Sequence, residues 1–175
     1  LYMFCDTIIC QTLKQIDLCQ KNIIRKDNVL ISNIFDVKNL GELNAATTYD
    51  AVWIGKFNGA KGEAELLSLA EKLTELNIVC LGHVSDMFRN TSTYIDLQKL
   101  SNITLVGQVP NVEVKEYIKA SKFIVCTSPS EGLSNVFLEG WQYRKPVISL
   151  SVDPNFYLTI ENPGGFCAHG SLNDM

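Results

Sequence analysis

The chain has 175 residues, 46% of them apolar and 19% charged, with a net charge of −4. That length suits one domain, or one domain and part of another, and the apolar share is enough for a real core and excludes a disordered chain. The negative balance argues against nucleic acid as the main partner, and no apolar run approaches the ~20 residues of a membrane helix.

The first ten residues lack the basic start and cleavage site of a signal peptide. They open on an apolar segment without an initiator Met, and the chain stops at Asn173-Asp-Met175 without a closing helix, so it reads as a piece of a longer protein. The six cysteines at 5, 10, 19, 80, 126 and 167 form no Cys-x-x-Cys pair, and with two histidines a zinc site is not expected. Cys80 and Cys126 fall in apolar strands, where a thiol acts as a small hydrophobe, so a reduced, cytoplasmic setting is expected. Asn90-Thr-Ser and Asn102-Ile-Thr match glycosylation sequons of a kind that arises by chance.

In chain order, residues 6–10 predict a strand, 11–20 a helix and 28–32 a strand. Residues 37–50 are polar and read as a linker, and residues 51–55 as a short buried strand. Glu63–Leu76 predicts a helix with Leu66, Leu67, Ala70 and Leu73 in one stripe and Glu63, Glu71, Lys72 and Glu75 off it. Residues 78–82 predict a strand, 83–100 a loop plus helix, and 103–107 a strand. Residues 111–120 predict a helix capped by Asn111. A strand at 122–126, a loop, a helix starting near Ser134 and strands at 146–150 and 164–168 follow. Trp53 and Trp141 are expected in the core. Alternating strands and helices predict an α/β fold with a parallel sheet and helices on both faces.

Two clusters stand at strand ends, where such folds bind ligands. Gly55-Lys-Phe-Asn-Gly-Ala-Lys-Gly62 leads into a helix. Its lysines and the free N–H groups of a helix start suit an anion. It is neither a Walker A loop nor Gly-x-Gly-x-x-Gly, and on its own an ordinary turn with solvated lysines explains it as well. The second cluster holds Glu131 and Glu139, with seven residues between them. Glu131 falls in a loop of turn formers after a strand, where it either caps the next helix or accepts hydrogen bonds from sugar hydroxyls. Glu139 sits between Leu138 and Gly140-Trp141 on an apolar helix, where a carboxylate needs a partner. Gly140 costs roughly 1 kcal/mol against Ala in a helix, which points to close packing or ligand approach. His83 either lines the cleft or lies on a surface loop. No Asp-x-Asp occurs, and no histidine stands near Ser128 or Ser130, so neither a metal-diphosphate site nor a serine hydrolase is expected.

Together these residues resemble the family 4 (group 1) retaining glycosyltransferases, whose two Rossmann-like domains face each other in the GT-B arrangement. The family's Gly-Arg-Leu, three residues, Lys-Gly corresponds to Gly55-Lys56-Phe57, three residues, Lys61-Gly62. The resemblance implies that Lys56 and Lys61, with Gly55, hold the donor diphosphate. Lys56 in place of Arg keeps the charge and loses the bidentate fork. The family's Glu-x7-Glu corresponds to Glu131 and Glu139, which implies Glu131 at the donor sugar as the catalytic carboxylate and Glu139 at the ribose. Main-chain groups of Leu133, Ser134 and Asn135 would hold sugar and phosphate. Leu105–Pro110, with Val109, is similar to the family's base-binding segment.

Asp6–Ile9 and Asn33–Asp36 resemble the end of the family's N-terminal domain, with Ile34 where Gly is usual. The resemblance therefore implies residues 1–36 as the tail of an acceptor domain, 37–50 as a linker and 51–175 as a truncated donor domain, inactive alone. It also implies a nucleotide-diphosphate sugar as substrate with no further cofactor and no metal. The acceptor would be a lipid-linked or membrane-surface glycan in surface polysaccharide synthesis, and the enzyme would be cytoplasmic and peripheral at the inner membrane face. A nucleotide-sugar 2-epimerase of the same architecture and a non-catalytic regulatory α/β module are the alternatives. A receiver-type module would end a central strand in Asp, where this chain has Gly55, Gly82 and Gly107.

Overall fold

The computed structural model describes residues 6–22, 27–33, 46–159, 161 and 164–175. Six strands form one fully parallel sheet: β3 (Tyr49–Ile54), β4 (Ile78–Leu81), β5 (Ile103–Gly107), β6 (Ser121–Cys126), β7 (Val147–Ser149) and β8 (Gly165–Cys167). Their order is β5-β4-β3-β6-β7-β8. Strands buried on both faces need continuous apolar runs, and Ile78-Val-Cys-Leu81 is buried throughout. Side chains alternate between faces, so the sheet has two cores. Ala51, Trp53, Ile78 and Cys80 pack under Leu66 and Leu69 of α2 (Glu63–Lys72) and Leu97 of α4 (Ser92–Lys99). Val52, Val79, Leu81, Ile124 and Val147 pack under Ile118 of α5 (Asn111–Lys119) and Phe137 of α6 (Asn135–Gln142). Each fully buried aliphatic side chain contributes roughly 2 kcal/mol. The expected α/β sheet with helices on both faces is the observed fold.

A short helix, α3 (Asp86–Arg89), precedes α4 in the segment read as loop plus helix. Ser85 and Thr91 cap the two by accepting from the N–H groups of Phe88 and Tyr94. Before the large sheet, β1 (Ile8–Cys10) and β2 (Asn28–Leu30) pair in parallel around α1 (Leu13–Asn22). Ile9, Leu13, Leu18, Val29, Leu30 and Ile31 of this unit are exposed. The Cys10 and Cys19 thiols approach to 3.9 Å.

Several expectations shift. The linker does not reach residue 50: Tyr49 and Asp50 already belong to β3, with Tyr49 paired to Ser121. Residues 37–45 of that linker, and Ile34–Asp36, lie outside the described residues. Helix α2 stops at Lys72, short of Leu76, because the Asn102 side chain takes the carbonyls of Ala70 and Leu73 at 3.0 and 3.1 Å. That also gives the second sequon a structural use, since Asn102 is buried. Asn111 is the first helical residue and not the cap; Pro110 holds that position, with ψ 144 and its carbonyl accepting from Glu113 at 2.8 Å. In α2 it is Leu69, not Leu67, that is fully buried alongside Leu66.

Candidate active site

The strand order reverses between β3 and β6: the chain builds β4 and β5 on one side of β3 and places β6, β7 and β8 on the other. Crevices outside the strand ends at such a switch point are where open α/β sheets bind ligands. The two clusters singled out in the sequence follow these two neighbouring strands.

The loop after β3 is anchored by Phe57, which is 1% exposed and packs on Trp53 at 4.6 Å between ring centroids. Its N–H donates to the His83 carbonyl at 2.9 Å, while the His83 side chain is on the surface. With Phe57 turned inward, Lys56 is exposed and has no ion pair among the described residues. Several of the loop's own N–H groups are already taken by side chains of the loop and of α2. Glu63, at the first position of α2, folds back under the loop, where its carboxylate accepts from the N–H of Asn58 (2.7 Å), Gly59 (2.8 Å) and Lys61 (3.0 Å). Glu63 is 1% exposed and so not a solvated helix charge. The positive end of α2 favours a carboxylate there, and the three hydrogen bonds offset its desolvation. An anion bound at this loop therefore meets the lysine side chains and not the amides of Asn58, Gly59, Ala60 and Lys61.

The loop closes at Gly62, in the left-handed region with φ 74 and ψ 42. A Cβ there would lie 2.0 Å from the Thr127 carbonyl oxygen, so only glycine lets the start of α2 sit flush on the end of β6.

From the loop after β6, Glu131 forms an ion pair with Lys61 Nζ. It does not cap α6, whose N-cap Ser134 has no side-chain cap and leaves the helix start open. Gly55, Lys61, Glu131 and Ser134 line one cavity of about 190 Å³, together with Trp53, Cys126, Ser128 and Phe137. Burial pushes the Cys126 thiol up, so it stays protonated and inert in this wall.

The other candidates lie outside that cavity. Leu133 is buried, and its carbonyl accepts from Asn33 Nδ2 at 2.9 Å; the same amide meets Asn135 Oδ1 at 2.9 Å on the surface. Val109 is half-buried against the α5 side of the core. Glu139 is half-buried on α6 and has no hydrogen-bond or ion-pair partner among the described residues; burial pushes its carboxyl up. Gly140 beside it is explained by packing and not by a ligand: a Cβ would come within 2.3 Å of the buried Ile124 Cδ1. A larger cavity of about 890 Å³ runs along α6 from Asn33 and Leu133 to Arg144 and Lys145. It contains neither lysine nor glutamate of the pair, and the chemistry points to the smaller one. Trp141 lines it and is only half-buried, donating to the Gly164 carbonyl at 2.6 Å, whereas Trp53 is core as expected.

Glu63 and Thr127 are participants that sequence patterns missed. A Glu at the first helical position behind a glycine-rich loop was the available signal for Glu63. Nothing in the spacing marks Thr127.

The sequence model of the family Glycosyl transferases group 1 matches residues 48–172. The chain is 26% identical over 173 residues to the uncharacterized glycosyltransferase MJ1178 of Methanocaldococcus jannaschii, covering 97% of this chain and 47% of that protein. It is 24% identical over 148 residues to the capsular polysaccharide biosynthesis glycosyltransferase CapH of Staphylococcus aureus, covering 79% of this chain and 41% of that one. The chain thus spans less than half the length of both relatives. Among solved structures, a mutant of S. aureus TarM in complex with UDP superposes with a TM-score of 0.78 at 18% identity, over 97% of this chain and 35% of TarM. That likeness bears on the fold, and the family match covers most of the chain, including both motif clusters. The chain belongs to the group 1 glycosyl transferase family.

Proposed function

We propose that the intact protein transfers a sugar from a nucleotide-diphosphate sugar to a glycan acceptor with retention of configuration, and that residues 49–175 form its donor-binding domain. The observation that carries this reading is the Lys61–Glu131 ion pair at the switch point of the sheet. It sets a phosphate-binding cation beside a carboxylate suited to sugar hydroxyls. In this reading Lys61 and Lys56 neutralise the leaving diphosphate, and the open start of α6 at Ser134 and Asn135 adds N–H groups. Glu131 positions the sugar and stabilises the positive charge that develops as the diphosphate departs. Glu139, without a partner on α6 among the described residues, takes the ribose diol as its partner. Leu133 shapes the sugar pocket and Val109 lies under the base. The donor is a substrate, and these groups need no further cofactor.

Residues 1–36 are then the tail of the acceptor domain and 37–48 the linker. The exposed apolar residues of β1, α1 and β2 support this, since a two-stranded sheet is not stable by itself. The cavity of about 190 Å³ is small for a whole nucleotide sugar and fits half of a cleft that a second domain completes. UDP in the TarM complex and the capsular polysaccharide role in CapH's name support a nucleotide donor and a surface glycan acceptor. No helix among the described residues is long and apolar enough to cross a membrane, and an enzyme working from the cytoplasm at the inner membrane face fits that acceptor.

The test is incubation of the intact protein with UDP-, GDP- and ADP-sugars and glycan acceptors, followed by NMR of the anomeric proton. An α-linked product from an α-linked donor supports the reading. An inverted product, or a donor epimerised without acceptor, contradicts it.

A further inference from the structure

The main chain of Lys61 is held from both sides. Its N–H donates to Glu63 Oε2 at 3.0 Å, and its carbonyl accepts from the Thr127 hydroxyl at 2.9 Å. Thr127 is 1% exposed and directly follows β6. The same hydroxyl oxygen accepts from Trp53 Nε1 at 2.9 Å, and Trp53 lies on β3. A threonine hydroxyl has one proton to give, and the Trp53 N–H directs it by occupying a lone pair, leaving the proton for Lys61. The Thr127 carbonyl also lies against the bare Cα of Gly62. Thr127 thus touches the lysine loop through both its side chain and its backbone, and stands four residues before Glu131 in the other loop.

We propose that Thr127, seated on Trp53, is a positioning residue that fixes the main chain of Lys61 at the site, with its side chain in reach of the donor diphosphate, and so sets the affinity of the site for that diphosphate. The inference rests on the reading of Lys61 as a phosphate ligand. A long lysine side chain loses substantial rotamer freedom when it grips a phosphate. A clamped main chain limits that loss to the side chain and keeps Nζ within reach. Neither Thr127 nor Trp53 needs to touch the donor; they act through Lys61. Because the relay joins β3 to β6, it couples the two loops that make the site.

The test is calorimetric titration of the intact protein with UDP, GDP and ADP, using whichever binds. Thr127→Val keeps the shape and removes both hydrogen bonds, and is expected to weaken binding about tenfold. Thr127→Ser restores the hydroxyl and is expected to bind within about twofold of the native protein. In a Lys61→Ala background, Thr127→Val is expected to change binding by less than about twofold, because the residue it positions is gone. If Thr127→Val fails to fold, Thr127→Ala removes the same hydroxyl with less bulk on the Trp53 side, and the same cycle is run with it. Equal losses with and without the Lys61 side chain would overturn the proposal, as would native-like binding by the variant. Absence of any nucleotide binding by the native protein would overturn the functional reading, and the inference with it.

Discussion

Lys61, on the loop after β3, and Glu131, on the loop after β6, form an ion pair across two neighbouring parallel strands. Each is the other's partner in this structure, and each has a different partner in the donor complex proposed above. Donor binding must therefore exchange one set of charges for another. For Glu131→Gln, nucleoside diphosphate binding should tighten by about fivefold, since a partly exposed pair is worth at most about 1 kcal/mol. Sugar transfer should fall by about a hundredfold or more. Titration and initial rates on one preparation check both. Weaker nucleotide binding would show that the pair organises the phosphate site and does not compete with it.

Lys56 is exposed, without an ion pair among the described residues, so its contribution is long-range and screened. Lys56→Ala should weaken nucleotide binding only about threefold at 150 mM salt, and more at low salt. Lys56→Arg should strengthen it by a few-fold, because guanidinium grips phosphate with two parallel hydrogen bonds. Titrations at two ionic strengths decide the matter.

Gly62→Ala should destabilise the fold by about 3 kcal/mol or more. The left-handed φ of 74 and the 2.0 Å approach to the Thr127 carbonyl both oppose a Cβ, and backbone cannot swing aside as a side chain would. Urea denaturation measures the loss. A change below about 0.5 kcal/mol would mean that the loop and β6 are not in contact.

Glu139 gives a pH signature. Burial raises its carboxyl pKa in the folded chain, so the folded state holds this proton more tightly than the unfolded one. The favourable contribution is full below the unfolded pKa and is lost as pH rises through the higher folded value. At neutral pH the half-buried carboxylate is therefore a cost. Glu139→Gln should leave the melting temperature unchanged near pH 3.5 and raise it at pH 7. The same variant should bind nucleotide more weakly, because the ribose hydroxyls lose their acceptor. A lower melting temperature at pH 7 would mean that Glu139 has a stabilising partner in the intact protein.

The strands of the large sheet were legible in the sequence to within about two residues, because strands buried on both faces spell unbroken apolar runs such as Ile78–Leu81. Helix ends were harder to read. The stop of α2 at Lys72 depends on Asn102, an amide thirty residues away that no local pattern ties to it. Glu63 shows the same limit. Its place off the apolar stripe does not foretell burial, yet the loop wraps over it and supplies three donors. The motifs located Lys61 and Glu131 correctly at the strand ends, and the structure adds that they meet. The hydroxyl that steadies Lys61 was invisible, since a lone threonine after an apolar strand has no periodicity or spacing to mark it.

The measurement that tests the central claim most directly is calorimetric titration of the intact protein and its Lys61→Ala variant with UDP, GDP and ADP. The account predicts that one nucleotide binds the native protein and that Lys61→Ala weakens it by about 10- to 100-fold, the worth of a hydrogen bond to a charged group. Binding that is indifferent to Lys61, or no binding of any nucleoside diphosphate, would contradict the donor site described here.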